Sequence, residues 1–464
     1  MEKTSLKTIS PVDGSVYVER EYATAKAIET SLESARHASA SLAALSIKER
    51  VAMCRRALDY FEANRQTIAE QISWQMGRPI AHSSGEVSGL VERASYMMDI
   101  AEPSLADIVP KPSAGFKRFI RREPLGTVLV VAPWNYPLLT TTNAVFPALL
   151  AGNSVILKPS AQTPLAAEHF AKAFEHSGIP DGGLQCLHLN HADTSAIIQR
   201  KAVDFVCFTG SVDAGRRIAV AAAERFVGAG LELGGKDPAY VMPDADMTNT
   251  VEQLIDGAFF NAGQSCCGIE RIYAHESVYQ EFVERYCAGV RAYRLGNPLE
   301  ASTTLGPVAK QSAAAYIREQ IKSAESQGAK RTIAADSFPA DDGRGCYLAP
   351  QVLIEVNHDM SIMREESFGP VVGIMPVKNH DQAITLMNDS DLGLTASLWT
   401  QDAKVAEAMG ARIQTGTVFM NRCDYLDPAL AWTGVKDTGL GVSLSALGFA
   451  QLSRAKSYHL KLGD

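Results

Sequence analysis

The chain has 464 residues, more than a single core of roughly 250–300 residues usually supports, so at least two domains are expected. With 46% hydrophobic and 21% charged residues it has the make-up of a folded soluble protein, and its 35 Gly and 21 Pro fall in no low-complexity run. A net charge of -8 with no basic stripe argues against a nucleic-acid surface.

The first residues, Met1 to Lys7, lack the apolar run of an export signal, and later apolar stretches are broken by polar residues or Pro before they could span a bilayer. A cytoplasmic protein is expected. From Ala23 to Ala106, apolar positions recur three or four apart, as in Ile47 to Leu58, which predicts several amphipathic helices. From Gly126 the pattern changes to short β-branched runs at Thr127–Ala132, Ser154–Lys158 and Phe205–Thr209, with helices expected at Pro164–Ser177 and Ala192–Lys201. Such alternation implies βαβ units and a mostly parallel sheet. A second α/β region is expected to begin with a strand at Ala239–Met242 and a helix at Thr248–Phe260. Near the end, Ser457–Leu462 reads as a two-faced strand that needs a pairing partner. No internal repeat is present.

Eight cysteines are scattered without the C-x-x-C spacing of a zinc site or a compact disulfide framework, so most read as small core residues and no metal is expected. Cys266 differs by context. In Phe259-Phe260-Asn261-Ala262-Gly263-Gln264-Ser265-Cys266-Cys267 an apolar segment runs into a Gly-bounded polar turn that can expose a thiol. Only the thiolate is a strong nucleophile, so a reactive cysteine needs a nearby base, cation or helix terminus. Leu231-Glu232-Leu233-Gly234-Gly235-Lys236 offers a candidate base.

These two segments resemble the G-Q-x-C and E-L-G-G-K signatures of the NAD(P)-dependent aldehyde dehydrogenase superfamily. Five more landmarks follow the family order: Pro133-Trp134-Asn135-Tyr136-Pro137, Lys158-Pro159-Ser160, Phe208-Thr209-Gly210-Ser211, Glu366-Ser367-Phe368-Gly369-Pro370 and Gly434 to Gly439. The resemblance, closest to non-acylating members of the succinate-semialdehyde dehydrogenase kind, implies an α/β fold. Its parts would be a Rossmann-like cofactor domain (1–115 and 124–233), an α/β catalytic domain (234–450) and a small β bridging or oligomerisation segment (116–123 and 451–464). A homodimer or homotetramer is implied.

The resemblance also implies roles. Cys266 would attack the aldehyde carbon, Glu232 would act as general base on water, and Asn135 would donate to the oxyanion together with the Cys266 N–H. For the dinucleotide it points to Trp134, Lys158, Ser160, Ala161, Gly210, Ser211, Gly215, Leu233, Glu366 and Phe368. For the substrate it points to Tyr136, Thr140, Asn143, Ser265, Cys267, Arg422 and Trp432. Taken singly, Glu232 reads equally as a cap or ion-pair carboxylate, Asn135 as a turn residue and Cys267 as packing or a redox neighbour.

No G-x-G-x-x-G follows a strand; the Gly-containing turn at Phe208–Ser211, opening a helix, is what could offer N–H groups to a pyrophosphate. NAD-preferring members often carry a glutamate where Ala161 stands, and its absence removes a like-charge penalty against a 2′-phosphate, so NADP is expected to be accepted as well as NAD. Arg422 reads equally as a contact for a carboxylate-bearing substrate such as succinate semialdehyde and as an interface salt-bridge residue. The alternatives are a CoA-acylating semialdehyde dehydrogenase, against which Glu232 speaks, and a non-catalytic structural relative.

Overall fold

The computed structural model describes residues 5–463. An antiparallel ribbon, Ser5–Ile9 with Val16–Glu21, leads into four long helices, Ala25–Ala44, Ile47–Ala63, Arg65–Met76 and Gly85–Leu105. The second begins with a capping box: the Ser46 hydroxyl accepts from the Glu49 N–H while the Glu49 carboxylate accepts from the Ser46 N–H. The third ends at Gly77, which sits at φ 87° and whose missing Cβ would lie 2.4 Å from the Pro307 carbonyl.

A six-stranded sheet follows, in the order Gly439–Leu440, Gly228–Glu232, Phe205–Thr209, Thr127–Val131, Ser154–Lys158, Leu184–Cys186, parallel except at its first pair. The alternation of strand side chains divides Thr127–Val131 between two cores. Val128 and Val130 pack with the helices Ile47–Ala63, Gly85–Leu105 and Leu139–Leu150, whereas Leu129 and Val131 pack with Ala25–Ala44 and Val212–Ala223. Helices on both faces with chain order reversing beside Thr127–Val131 make a doubly wound sheet, whose ligand crevice lies at the carboxyl ends of the strands near that reversal.

Seven strands form the second large sheet, ordered Lys330–Arg331, Gln351–Ile354, Val371–Val377, Ile269–His275, Asp237–Val241, Thr395–Trp399, Thr417–Met420 and parallel except at Lys330–Arg331. Tyr240 and Tyr273 face one core, and Ala239, Val241, Ile272 and Ala274 face the other. The chain closes with Ser453–Lys461, antiparallel to Phe116–Pro124 over nine residue pairs, with Tyr458 stacked on Phe119 at 4.4 Å. That last strand starts four residues before the expected one, because Ser453–Lys456 pair through their backbone although their side chains carry no alternation. Gly228–Glu232 was not apparent as a strand: its glycines lack β propensity, but Gly228 leaves room for the Phe205 ring, 2.7 Å from where a Cβ would sit. No helix of the described residues is long and apolar enough to cross a membrane.

The helical layer is tied to both sheets by one buried ion pair. Arg78 and Glu86 are 2% and 1% exposed, and Nη1 donates to Oε1 at 2.7 Å. Glu86 Oε2 accepts from the N–H groups of Leu138 and Leu139, satisfying donors at the start of the helix Leu139–Leu150. Removing one partner of such a pair strands the other charge in a dry interior, at a cost of about 3–5 kcal/mol. Glu86→Ala is therefore expected to lower stability by about that amount in denaturant titration; a midpoint within error of the parent would contradict this.

Candidate active site

The thiol segment is shaped by backbone conformation. After the helix Met247–Phe259, residues Asn261, Ala262 and Gly263 all adopt positive φ (54°, 55° and 68°) and turn the chain back toward the strand Ile269–His275. Left-handed backbone at two non-glycine residues is costly and persists only when neighbours fix it. Asn261 supplies much of that fixing: its Oδ1 accepts from Arg78 Nε at 3.0 Å, and its Nδ2 donates to the carbonyls of Asn135 and Gln264. Gln264 donates to the Asn261 carbonyl and accepts from the Ala309 N–H at 2.7 Å. Arg78 Nη2 donates to the Asn135 carbonyl at 2.6 Å while its guanidinium lies 4.5 Å from the Tyr136 ring centre. One side chain thus holds both the Asn135 turn and the loop before Cys266.

Cys266 is half-buried and lines a cleft with Glu232, Thr140, Asn143 and Trp432. Its N–H donates to no described residue, and Asn135 Nδ2 spends one hydrogen on the Gln264 carbonyl at 3.1 Å, leaving the other. Cys267 points elsewhere. It is 2% exposed, and its Sγ donates to Asp424 Oδ1 at 2.9 Å beside the Ser265 hydroxyl, which donates to the same oxygen at 2.8 Å. The hydrogen bond with the Cys266 thiol and burial push the Cys267 thiol well above the ordinary range, so it stays protonated.

Glu232 is the last residue of its strand. Burial raises its pKa against the opposing hydrogen bonds from Ser443 Oγ (2.5 Å to Oε1) and Thr209 Oγ1 (3.3 Å to Oε2). A carboxyl held this way gains basicity without losing its aim.

The residues named for a dinucleotide sit at strand ends. Lys158 ends Ser154–Lys158, its ammonium makes no hydrogen bond among the described residues, and burial pulls it down to about 8. Ser160 Oγ accepts from the Gln162 N–H, and Ala161 is exposed with its carbonyl taken by Thr8. Gly210 and Ser211 join Phe205–Thr209 to the helix Val212–Ala223, where Ser211 Oγ is the N-cap. Gly215 allows the helix to meet Leu233, whose Cδ2 would be 2.5 Å from an added Cβ. Glu366 Oε1 accepts from the Gly235 N–H at 2.9 Å, and burial followed by Glu270 repulsion raises the Glu366 carboxyl to about 7. Glu270, paired with Lys236, accepts from the N–H groups of Ser367 and Phe368, which presents Phe368 edge-to-face to Trp134 at 5.5 Å. An unpartnered lysine and a glycine-floored helix start are a donor set suited to ribose hydroxyls and phosphates.

Among the substrate candidates, Thr140, Asn143 and Trp432 line the cleft, whereas Tyr136, Ser265 and Cys267 are at least half-buried but not part of its lining. Arg422 is exposed and stacks 3.5 Å from the centre of the Tyr425 ring, whose hydroxyl donates to Glu92. Sequence reasoning missed Arg78, Glu86, Arg93, Glu270, Asp424 and Ser443. None lies in a short motif, and only Lys236, inside the Glu232 segment, hinted at a buried carboxylate partner.

A sequence model of the Aldehyde dehydrogenase family matches residues 1–458. An aldehyde dehydrogenase of Paenarthrobacter nicotinovorans is 33% identical over 456 residues, covering 98% of this chain and 99% of that protein. A succinate-semialdehyde dehydrogenase [NADP(+)] of Mycobacterium avium is 33% identical over 414 residues, 88% of this chain and 86% of that protein. In three dimensions, the NAD-dependent aldehyde dehydrogenase of Sinorhizobium meliloti superposes with a TM-score of 0.95 at 30% identity, over 99% of this chain and 92% of that one. With its doubly wound sheet and its thiol and carboxylate facing one cleft, this chain belongs to the aldehyde dehydrogenase family.

Proposed function

We propose that the protein oxidises a small polar aldehyde or semialdehyde to the carboxylic acid, with NAD or NADP as hydride acceptor. The observation that carries this reading is that Cys266 and Glu232 line one cleft, with the Asn135 amide bonded to the Gln264 carbonyl two residues before the thiol. Cys266 Sγ adds to the aldehyde carbon; the C=O electron pair moves to oxygen, where Asn135 Nδ2 and the Cys266 N–H hold the oxyanion of the thiohemiacetal. A bound dinucleotide would supply the hydride acceptor, and loss of the thiohemiacetal hydrogen as hydride leaves a thioester on Cys266. Glu232 then takes a proton from water as the water oxygen adds to the thioester carbon, and collapse releases the acid and restores the thiolate.

Lys158, Ser160, Gly210, Ser211, Gly215 and Leu233 would hold the adenosine and phosphates, and Trp134, Glu366 and Phe368 the nicotinamide riboside. With Ala161 in place of a carboxylate three residues after Lys158, whose ammonium has no partner among the described residues, the adenosine end carries no like-charge penalty against a 2′-phosphate. The relatives named as succinate-semialdehyde dehydrogenase [NADP(+)] support both the cofactor and the substrate class. We assign 1–115 with 124–233 to cofactor binding, 234–450 to catalysis, and the ribbon of 116–123 with 451–464 to assembly of a homodimer or homotetramer, through the backbone groups that its open edges leave for pairing.

Cys266→Ser is expected to abolish aldehyde oxidation while cofactor still quenches tryptophan fluorescence; oxidation at the parental rate would remove Cys266 from its role. Asn135→Ala should lower kcat by ~10²–10³, the usual effect of losing one oxyanion donor. Because burial raises Glu232, the base form is lost at a higher pH than for an exposed carboxylate. The acid limb of kcat should therefore lie above the ordinary carboxylate range and vanish in Glu232→Gln. An unchanged acid limb in that variant would assign the titration to another group. With a good aldehyde, NADP reduction should be measurable beside NAD reduction, in the absence of CoA; no NADP reduction would contradict the role given to Ala161, and a requirement for CoA would favour the acylating reaction.

A further inference from the structure

Arg93, on the helix Gly85–Leu105, is a buried cation whose hydrogen-bonding capacity is half used. It is 8% exposed, and no described carboxylate lies within ion-pair distance of it, in contrast to Arg78, which pairs with Glu86. Among the described residues its guanidinium bonds only through Nη1, to the Leu139 carbonyl at 3.3 Å and to Asn143 Oδ1 at 3.2 Å. Nε and Nη2, the edge that pairs with a carboxylate side-on, have no partner and are not among the enclosed unpartnered atoms, so they open onto accessible space. Asn143 Nδ2 is enclosed and also unpartnered. Asn143 lines the same cleft as Cys266, Glu232 and Trp432.

The acidic groups nearest this cation are each committed elsewhere. Glu86 is paired with Arg78 and two N–H groups, Glu232 is held by Ser443 and Thr209, Glu92 accepts from Tyr425, and Asp424 accepts from Ser265 and Cys267. A desolvated guanidinium without a counter-ion is expensive to bury, and an incoming anion removes that cost.

We propose that Arg93, fixed by Asn143, is the specificity residue that receives the distal carboxylate of a semialdehyde whose carbonyl carbon lies at Cys266. This rests on the semialdehyde reading above and moves the anion contact from the exposed Arg422 to a guanidinium bonded to the cleft-lining Asn143. Arg93 Nε and Nη2 would donate in parallel to the two carboxylate oxygens, while Asn143 Oδ1 keeps its bond to Nη1.

The test compares succinate semialdehyde, butanal and 4-aminobutanal on the parent, Arg93→Gln and Arg93→Lys. A parallel experiment measures how far succinate protects Cys266 from alkylation by iodoacetamide. Arg93→Gln is expected to lower kcat/KM for the semialdehyde roughly 10–100-fold, chiefly through KM, to leave butanal within about threefold, and to lose succinate protection; Arg93→Lys should recover part of each. An equal fall on butanal and the semialdehyde would make Arg93 a purely structural residue and overturn the proposal. So would an unchanged semialdehyde KM, or a parent that favours 4-aminobutanal and gains no protection from succinate. If the parent prefers butanal yet succinate protects it through Arg93, the anion subsite stands and the semialdehyde reading falls. If the parent prefers the semialdehyde and Arg93→Gln does so equally, the reading stands and the subsite falls.

Discussion

A single desolvated guanidinium holds the reacting groups in register. Arg78 is buried where a charge needs a counter-ion, and its planar fork meets four demands at once: Glu86, the Asn135 carbonyl, Asn261 Oδ1 and the face of Tyr136. A lysine has the charge but not the geometry. Through Asn261 the guanidinium supports two left-handed residues that would not hold by themselves, and through the Asn135 carbonyl it fixes the turn whose amide bonds the Gln264 carbonyl, two residues before Cys266. Through Glu86 it sets the start of the helix carrying Thr140 and Asn143. Oxyanion stabilisation depends on donors placed before charge develops, so this pair links helical packing to catalysis although it need touch no substrate.

The second organising constraint is burial of titratable groups. Glu232 and Glu366 are both pushed toward neutrality, Lys158 is drawn down to about 8, and Cys267 is kept as a thiol against Asp424. A dry cleft strengthens each remaining interaction and makes an unpaired charge conspicuous. The two neighbouring thiols illustrate how a one-residue step separates roles: Cys266 opens to the cleft, whereas Cys267 turns to a buried carboxylate. The Lys236–Glu270 pair does for the Glu366–Phe368 loop what Arg78–Glu86 does for the thiol loop.

Much of the architecture was legible in the chain, because strands such as Thr127–Val131 and Phe205–Thr209 are β-branched runs and the early helices carry clear apolar periodicity. The glycine-rich strand Gly228–Glu232 was not, since its pairing is set by the neighbouring Phe205 ring and not by its own propensity. Residues in short motifs, such as Cys266 and Glu232, were legible for the same reason that their supports were not. Arg78, Glu86, Arg93 and Asp424 act through contacts between segments 8 to 183 residues apart, and nothing in the local sequence records those distances. The polar Ser453–Lys456 stretch likewise pairs through backbone alone.

The account turns on an acyl group carried by Cys266 and released by Glu232. Its most direct test is mass spectrometry of Glu232→Gln quenched during turnover with an aldehyde and cofactor, followed by peptide mapping. The account predicts one acyl mass on the peptide, fragmenting to Cys266. An acyl group on Cys267, or a turning-over enzyme with no adduct and an undiminished rate, would contradict it.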